Sequence, residues 1–441
     1  MGSAPKALLA ALALAVAATA GAEPARAGPA DTAAAMAAPD PRGSVKRIAG
    51  LIRAHYLDAA KAARIANALE ADAKAGRFDA LTDPRDLAFT LTTRLSAEDR
   101  HFSVVWAPPG EEGGLRVAAL SPADTARMNH GFVETAVLPG GVGYLKLDLF
   151  AHFDTAGSPQ QAAADAALQF VAAAPSLIID LRDNGGGSPA MVGYLVQQFV
   201  ADPLAVANLF RSRNAPDELE LAPAPPTLPK RLETPLFILV SARTGSSAEA
   251  LAYTLQAAGR ATIVGETTAG AANPGSIRRT PDGFSLFISV GTPVNPYTRS
   301  NWEGRGVTPD VTVPQSDALR VAQIRALETE GKALPRPAAL VLETLRAEGQ
   351  TPAPFGRIEG RYGDLVIAES DGVLHLLQGR RPARTLVPLD RDHFSLAEDP
   401  AARFLIEREA QTGEPAALMR SLPGGGEVRY RRTAGISASL P

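Results

Sequence analysis

The sequence has no cysteine among its 441 residues. That absence excludes disulfide bonds, cysteine nucleophiles, CxxC redox chemistry and cysteine-based zinc sites. Histidine is scarce as well, with six residues and no HExxH pattern, so a metal catalyst is not expected, although a metal site built from Asp and Glu stays open as an alternative. We expect no cofactor. The formal charge is only −3. No strong field therefore favours binding of nucleic acid or of an anionic membrane surface.

The first 22 residues have the order of a secretory signal. Lys6 precedes an uncharged and mostly apolar run over residues 7–21, and small residues follow. This pattern predicts export with cleavage, with an uncleaved anchor or a disordered Ala-rich tail as alternatives. The mature chain is then expected in the periplasm or outside the cell, without a membrane-spanning helix. Residues 23–43 predict a flexible leader rich in Ala, Pro and Gly.

Hydrophobic spacing divides the remainder of the chain into successive units. Apolar residues at helical spacing predict a helical bundle over residues 44–96. Continuous apolar runs that alternate with helices predict an α/β core over 97–314. Two helical stretches predict a helical linker over 315–354, and short strands between turns predict a small antiparallel barrel or sandwich over 355–433. Residues 434–441 are expected to be a tail.

The apolar runs of the core are typical of strands covered on both faces of a sheet. We expect one sheet that contains the runs 177–181, 236–240, 261–264, 284–289 and 311–313.

A glycine triplet, Gly185 to Gly187, follows one of these strands and precedes a helix. Glycines at such a turn let the backbone adopt positive φ and direct N–H groups into a cleft. The turn could hold a phosphate group or the oxyanion of an acyl-transfer intermediate. The alternative is a plain strand-to-helix turn, and the Lys-Ser/Thr pair of a Walker loop is absent.

Ser246 lies at a second turn between a strand and a helix. A nucleophilic serine needs an exposed hydroxyl on a sharp turn, with a helix N-terminus nearby to stabilise negative charge. Ser246 meets this requirement. However, Ser246 and Glu249 also form the Ser-x-x-Glu capping-box pattern, so both residues could serve only to begin the helix.

Two further residues complete a set of candidates for proton transfer. His101 lies where a helix gives way to a strand, and histidine is the side chain best suited to act as a base near neutral pH. Glu303 lies in a glycine-rich loop and could orient a histidine and stabilise its cation. The alternatives are a structural or exposed histidine and a solvated loop carboxylate.

The order of His, Gly triplet, Ser and Glu resembles the tail-specific (C-terminal-processing) serine peptidases and their tricorn-type and retinoid-binding-protein-like relatives. The matching text is IIDLRDNGGG, GSSAEALAYTLQAAGRATIVGETTAGAA and EGRGVTPDVTV, within residues 97–314. The resemblance implies a core with crotonase-like layering. It also implies that Ser246 is the nucleophile, that the Ser247 N–H is one oxyanion donor, and that Gly186 or its neighbour Gly187 supplies the other.

The sequence departs from the processing peptidases at their base. The lysine of their GExTxGK-like segment is replaced here by Ala271. The resemblance therefore points to the tricorn-type and retinoid-binding-like branch, in which an upstream histidine is the base and a glutamate supports it. His101 and Glu303 occupy those places, whereas the serine that precedes the tricorn histidine is Arg100 here.

Two hypotheses for function follow. The first is an exported serine peptidase that acts on a peptide or protein substrate. The second is a non-catalytic protein on the same scaffold that binds a lipid or a peptide, as the retinoid-binding relatives suggest. The unit at 355–433 contains no recognisable pair of nucleophile and base, so we expect it to bind substrate, cell-envelope material or its own core.

Overall fold

The computed structural model describes residues 40–108, 120–348, 357–422 and 425–433. The predicted signal, most of the predicted leader and the predicted tail lie outside these residues. The described part begins with three helices that bury one face of each against the others. These helices are α1 (Pro41–His55), α2 (Ala59–Lys74) and α3 (Pro84–Ser96).

The first helix includes the last three residues of the predicted leader. Asp40 caps α1 by accepting the Gly43 N–H at 2.8 Å, and Pro41 occupies the first helical turn. Proline suits this position because its missing N–H would have no partner there in any case. Residues 41–43 therefore belong to the bundle.

A six-stranded sheet forms the centre of the molecule. Its strand order is β12-β8-β7-β4-β3-β2, and every neighbouring pair is parallel except β2 and β3. The inner strands β4 and β7 are buried at every residue, which explains their continuous apolar sequences. The strands are β2 (Phe132–Val137), β3 (Gly143–Leu147), β4 (Leu177–Asp180), β7 (Leu236–Val240), β8 (Thr262–Gly265) and β12 (Val311–Thr312).

Two smaller sheets lie beside the central sheet. One has the order β1-β10-β9 and the other β11-β5-β6. The run at 284–289 was expected in the central sheet, but it forms β10, whose apolar face packs on the helical bundle through Phe284, Leu286 and Ile288. The strands are β1 (Ser103–Trp106), β5 (Leu209–Ser212), β6 (Glu218–Leu219), β9 (Gly275–Arg279), β10 (Phe284–Ser289) and β11 (Gly291–Val294).

Helices cover both faces of the central sheet. Helices α5, α6 and α8 contribute to the hydrophobic core on one face, and α9 and α10 contribute to the core on the other. The segment predicted as a linker is therefore part of the core layer. No helix of the described residues is long and apolar enough to span a membrane. The helices are α4 (Pro122–Arg127), α5 (Pro159–Phe170), α6 (Pro189–Phe199), α7 (Pro203–Val206), α8 (Ser247–Ala257), α9 (Ala318–Thr329) and α10 (Arg336–Glu348).

The C-terminal unit is a closed barrel of eight antiparallel strands, joined in sequence order and sealed by pairing of β13 with β20. Its interior is filled by apolar side chains, among them Tyr362, Phe394 and Phe404. The predicted fold class is confirmed: a helical bundle, an α/β core and a small β-barrel. The strands are β13 (Gly360–Tyr362), β14 (Leu365–Ser370), β15 (Val373–Gln378), β16 (Arg384–Pro388), β17 (His393–Leu396), β18 (Asp399–Arg408), β19 (Pro415–Ser421) and β20 (Glu427–Thr433).

Candidate active site

Ser246 occupies the sharp turn between β7 and α8. Its backbone has φ 52° and ψ −123°, a combination that residues other than glycine avoid. Among the described residues it is the only serine with positive φ. A serine held in a strained turn between a strand and a helix is the arrangement that presents a nucleophilic hydroxyl.

The glycine turn after β4 packs directly against Ser246. Gly186 has φ +120°, and a Cβ placed there would lie 2.8 Å from the Ser246 Cβ and 3.1 Å from the Ser247 nitrogen. Gly187 has φ +138°, and a Cβ there would lie 2.2 Å from the Phe150 carbonyl oxygen. Both positions require glycine, because any side chain would collide with the backbone or with Ser246.

The N–H groups around Ser246 differ in whether they already have an acceptor. The Gly186 N–H donates to Asn184 Oδ1 at 2.8 Å. Within the described residues, the N–H groups of Gly187 and Ser247 make no hydrogen bond. Of the two glycines that the sequence offers as oxyanion donors, Gly187 therefore has the unoccupied N–H.

Glu249, in the first turn of α8, binds both Ser246 and a loop that follows β8. Its carboxylate accepts the Ser246 N–H at 2.8 Å, which is the capping interaction anticipated from the sequence. Three further donors reach the same carboxylate: Thr268 Oγ1 at 2.5 Å, Gly270 N at 2.6 Å and Ala271 N at 2.9 Å. Burial raises the pKa of Glu249, although these hydrogen bonds oppose that effect. Capping and positioning of the turn are therefore compatible roles.

Glu303 binds the next residues of the same loop and also approaches His101. Its Oε2 accepts the N–H groups of Ala272 and Asn273, both at 2.9 Å. Its Oε1 lies 3.4 Å from His101 Nδ1. The loop 268–273 is thus held between two carboxylates, Glu249 on the serine side and Glu303 on the histidine side.

Asp99 is a neighbour of His101 that sequence reasoning missed. Its Oδ1 lies 2.9 Å from His101 Nδ1 and accepts the His101 N–H at 2.9 Å. The sequence offered one signal, a carboxylate two residues before the histidine. Its geometry depends on partners far away in the chain, since Tyr56 and Ser289 donate to its other oxygen.

The two carboxylates make the imidazole ring of His101 more basic. Burial lowers the pKa of His101, but the hydrogen bond to Asp99 and the negative charge of Glu303 outweigh that effect and leave the pKa raised. Burial raises the pKa of Asp99, but hydrogen bonds from His101 prevail and bring it down to about 2. Asp99 is therefore an anion at neutral pH.

The candidate site residues lie on two sides of the loop 268–273. Ser246 and the glycine turn packed against it lie on one side, and His101 and Glu303 lie on the other. Arg100, which stands in the place of a serine in the tricorn pattern, donates from Nη2 to the Ala269 carbonyl at 3.0 Å in that loop. Within the described residues, no hydrogen bond joins the Ser246 hydroxyl to His101. Hydrogen bonds of this kind often form fully only when substrate is bound.

Asp99, His101 and Glu303 also have donor atoms within 4.8 Å of one another. The hydrogen bond between Asp99 and His101 and the 3.4 Å approach of Glu303 Oε1 to His101 Nδ1 account for this closeness. These contacts give each of the three side chains a partner within the protein.

The comparison with protein families agrees with this geometry. Residues 141–313 match the family model described as peptidase family S41. The matched segment is less than half of the chain, and it is similar to the peptidases of that family. The resemblance inferred from the motifs is thereby confirmed, and the segment includes Ser246, Glu303 and the glycine turn but not His101.

Similar relatives among the curated proteins are named as processing proteases. A carboxyl-terminal-processing protease of Picosynechococcus sp. is 30% identical over 138 residues, which cover 31% of this chain and 32% of the relative. A chloroplastic C-terminal processing peptidase of Tetradesmus obliquus is 30% identical over 231 residues, which cover 48% of this chain and 46% of the relative. The chain thus spans at most about half the length of these curated relatives.

Several solved structures are similar to part of this chain. A photosystem II D1 C-terminal processing protease is 25% identical with a TM-score of 0.32, over 41% of this chain and 45% of that one. A tricorn protease is 18% identical with a TM-score of 0.26, over 47% of this chain and 18% of that one.

Proposed function

We propose that this protein is a serine peptidase in which Ser246 is the nucleophile, His101 the general base and Glu303 a supporting acid. The observation that carries this proposal is the strained backbone of Ser246, held at the N-terminus of α8 and in contact with Gly186. Strain of this kind persists only where the surrounding structure enforces it, and it concentrates at functional sites.

The chemistry follows from the groups around Ser246. His101 Nε2 removes the proton from Ser246 Oγ as the oxygen bonds to the scissile carbonyl carbon. The carbonyl oxygen becomes an anion and accepts the N–H groups of Gly187 and Ser247. When the carbon–nitrogen bond breaks, the imidazolium returns the proton to the leaving amine and leaves an acyl-serine. Water then loses a proton to the same histidine and bonds to the acyl carbon. The bond from that carbon to Ser246 Oγ breaks, and the imidazolium returns the proton to Oγ, which releases the acid and restores the serine.

The oxyanion site uses the Gly187 N–H rather than that of Gly186 in this proposal. The Gly186 N–H is engaged by Asn184, so Gly186 contributes by allowing the turn to approach Ser246 closely. One preorganised oxyanion donor is worth about 3 kcal/mol of transition-state stabilisation. The N-terminus of α8 adds a favourable partial positive charge beneath the same position.

The substrate is proposed to be a peptide or protein. The names of the relatives suggest cleavage close to a C-terminus, and we propose the same substrate class here. We also propose that the protein is exported, which the signal-like residues 1–22 support. Contact between the C-terminal barrel and the cell envelope is a further proposal.

A fluorophosphonate probe with a mass-spectrometric readout tests the nucleophile. We expect the wild-type protein to be labelled on Ser246, and Ser246→Ala to lose labelling completely. Ser158→Ala is a matched control, because Ser158 is likewise the N-cap of a helix and lies outside the proposed site. Retained labelling of Ser246→Ala, or loss of labelling in Ser158→Ala alone, would contradict the assignment.

The binding hypothesis is the second candidate. It is favoured by one observation, the absence of a Ser246–His101 hydrogen bond within the described residues. An unlabelled wild-type protein that binds peptides or lipids by calorimetry, with unchanged affinity in Ser246→Ala, would support binding without catalysis.

A further inference from the structure

Asp99 is surrounded by donors on both of its oxygens. Oδ1 accepts the backbone N–H of His101 and lies 2.9 Å from its Nδ1. Oδ2 accepts the hydroxyl groups of Tyr56 and Ser289, each at 3.0 Å. The carboxylate is therefore fixed in position and orientation by three different parts of the chain.

Tyr56 comes from the helical bundle and is itself firmly held. It follows α1 as its C-cap residue, and its N–H donates to the Ile52 carbonyl. Its ring stacks on Phe102 with centroids 5.2 Å apart. Burial and the charge of Asp99 raise the pKa of Tyr56, so the hydroxyl keeps its proton and remains a donor.

Asp99 lies closer to the His101 ring than Glu303 does, and its side chain is less exposed. The distance to His101 Nδ1 is 2.9 Å from Asp99 and 3.4 Å from Glu303, and the side chains are 5% and 26% exposed respectively. Glu303 also shares its charge with the two N–H groups of the loop 268–273. The shorter and drier contact gives the stronger charge-assisted hydrogen bond.

We propose that Asp99 is the principal positioning residue for His101, and that Tyr56 and Ser289 hold it there. The helical bundle then contributes to the peptidase site, because its Tyr56 holds the residue that positions the base. This inference rests on the proposed role of His101 as base. An anionic Asp99 at Nδ1 keeps the proton on that nitrogen and leaves Nε2 free to accept a proton from serine.

Other charged groups surround this pair and must be counted in any pH experiment. Glu303 raises the pKa of His101, and Arg100 lowers it. Lys61 lies 5.6 Å from the centroid of the Tyr56 ring, and Asp58 acts on Tyr56 through its charge. None of these residues changes in the Asp99, Tyr56 and Ser289 variants, so their influence is constant across that series.

Two variants shift the His101 pKa in opposite directions. Asp99→Asn removes the charge that favours the imidazolium, so the pKa falls. Tyr56→Phe keeps the stacked ring but removes one donor from Asp99; the carboxylate becomes more basic and favours the imidazolium more strongly, so the pKa rises. Ser289→Ala acts in the same direction as Tyr56→Phe.

NMR titration of the His101 ring measures these shifts without any need for activity, with the signal assigned by its loss in His101→Gln. We expect a midpoint lower by about one pH unit or more in Asp99→Asn, from the loss of a charge-assisted hydrogen bond. Tyr56→Phe should raise the midpoint by a few tenths. In kinetics, Asp99→Asn should lower kcat by about 10²-fold or more while KM changes little.

The outcomes separate this inference from the proposed function. An unlabelled wild-type protein that shows both NMR shifts would remove the peptidase proposal and leave the contacts of Asp99 intact. A labelled wild-type protein whose His101 midpoint is the same in Asp99→Asn and Tyr56→Phe would overturn the inference alone. Circular dichroism of each variant shows whether it is folded, and Ser289→Ala provides the second test if Tyr56→Phe does not fold.

Discussion

His101 is the residue whose protonation decides when the proposed chemistry can run. A general base must be neutral before it can accept a proton. Burial lowers the pKa of His101, but Asp99 and Glu303 outweigh it and raise the pKa above 6.5. Peptide hydrolysis should therefore increase as pH rises through a midpoint above 6.5.

A pH profile of kcat/KM from about pH 5 to pH 9 measures that midpoint, since this ratio reports the free enzyme. Glu303→Gln should move the midpoint to lower pH, because it removes one of the charges that favour the imidazolium. A profile that is unchanged in His101→Ala would show that another group is the base.

The residues of the site differed in how readily the sequence revealed them. Ser246, His101 and Glu303 lie within motifs that have chemical meaning by themselves. Asp99 was part of the same short segment as His101, but nothing in the sequence indicates that Tyr56 and Ser289 would donate to it. The Ser289 contact spans 190 positions of chain. Such contacts depend on how β10 packs on the bundle, which local patterns do not encode.

At the scale of elements, α8 and the loop 268–273 are joined by Glu249. Its two oxygens accept one hydroxyl and three backbone N–H groups. The side chain therefore fixes the turn that holds the serine and the loop that Glu303 also binds. The capping box recognised in the sequence is one part of this larger arrangement.

Glu249→Gln tests that arrangement. The amide NH2 would replace one acceptor oxygen and face buried N–H groups, so we expect the free energy of unfolding to fall by roughly 2–3 kcal/mol. Urea denaturation measures the change. Glu70→Gln is the matched control, because Glu70 pairs with Arg53 on the surface and such pairs are worth at most about 1 kcal/mol. Equal losses in the two variants would contradict the role of Glu249.

The sequence identified the buried strands but did not assign all of them to the correct sheet, and the reason is physical. Strands β4 and β7 are continuous apolar runs because helices cover both faces of their sheet. The run that forms β10 has the same character, since it packs beneath the helical bundle. Apolar sequence reports burial but not the partner, so the sequence could not separate the two sheets.

At the scale of the whole molecule, α10 connects the core with the barrel. Its apolar residues Val341, Leu342 and Leu345 belong to the core on one face of the central sheet. From the barrel, Arg403 donates to the Leu340 carbonyl at 2.5 Å and to Glu343 at 2.9 Å. The barrel therefore adds contacts to a helix that is already anchored.

A chain that ends after residue 349 tests whether the barrel is needed. It keeps α10, and domains with their own hydrophobic cores usually fold separately. We expect this truncated protein to be soluble and to react with the fluorophosphonate probe at Ser246. A folded but unreactive product would show that the barrel helps to build the active site.

The positions of the proposed catalytic residues have a consequence for the order of synthesis. His101 and Glu303 are about 200 residues apart, and the serine lies between them. At about 5–20 residues per second, a ribosome needs roughly 10–40 s to reach the glutamate after it has made the histidine. A nascent chain therefore carries its base and then its nucleophile well before the loop that joins them has been anchored. The proposed peptidase site can therefore be completed only after Glu303 has been made, when most of the core residues 97–314 are already present.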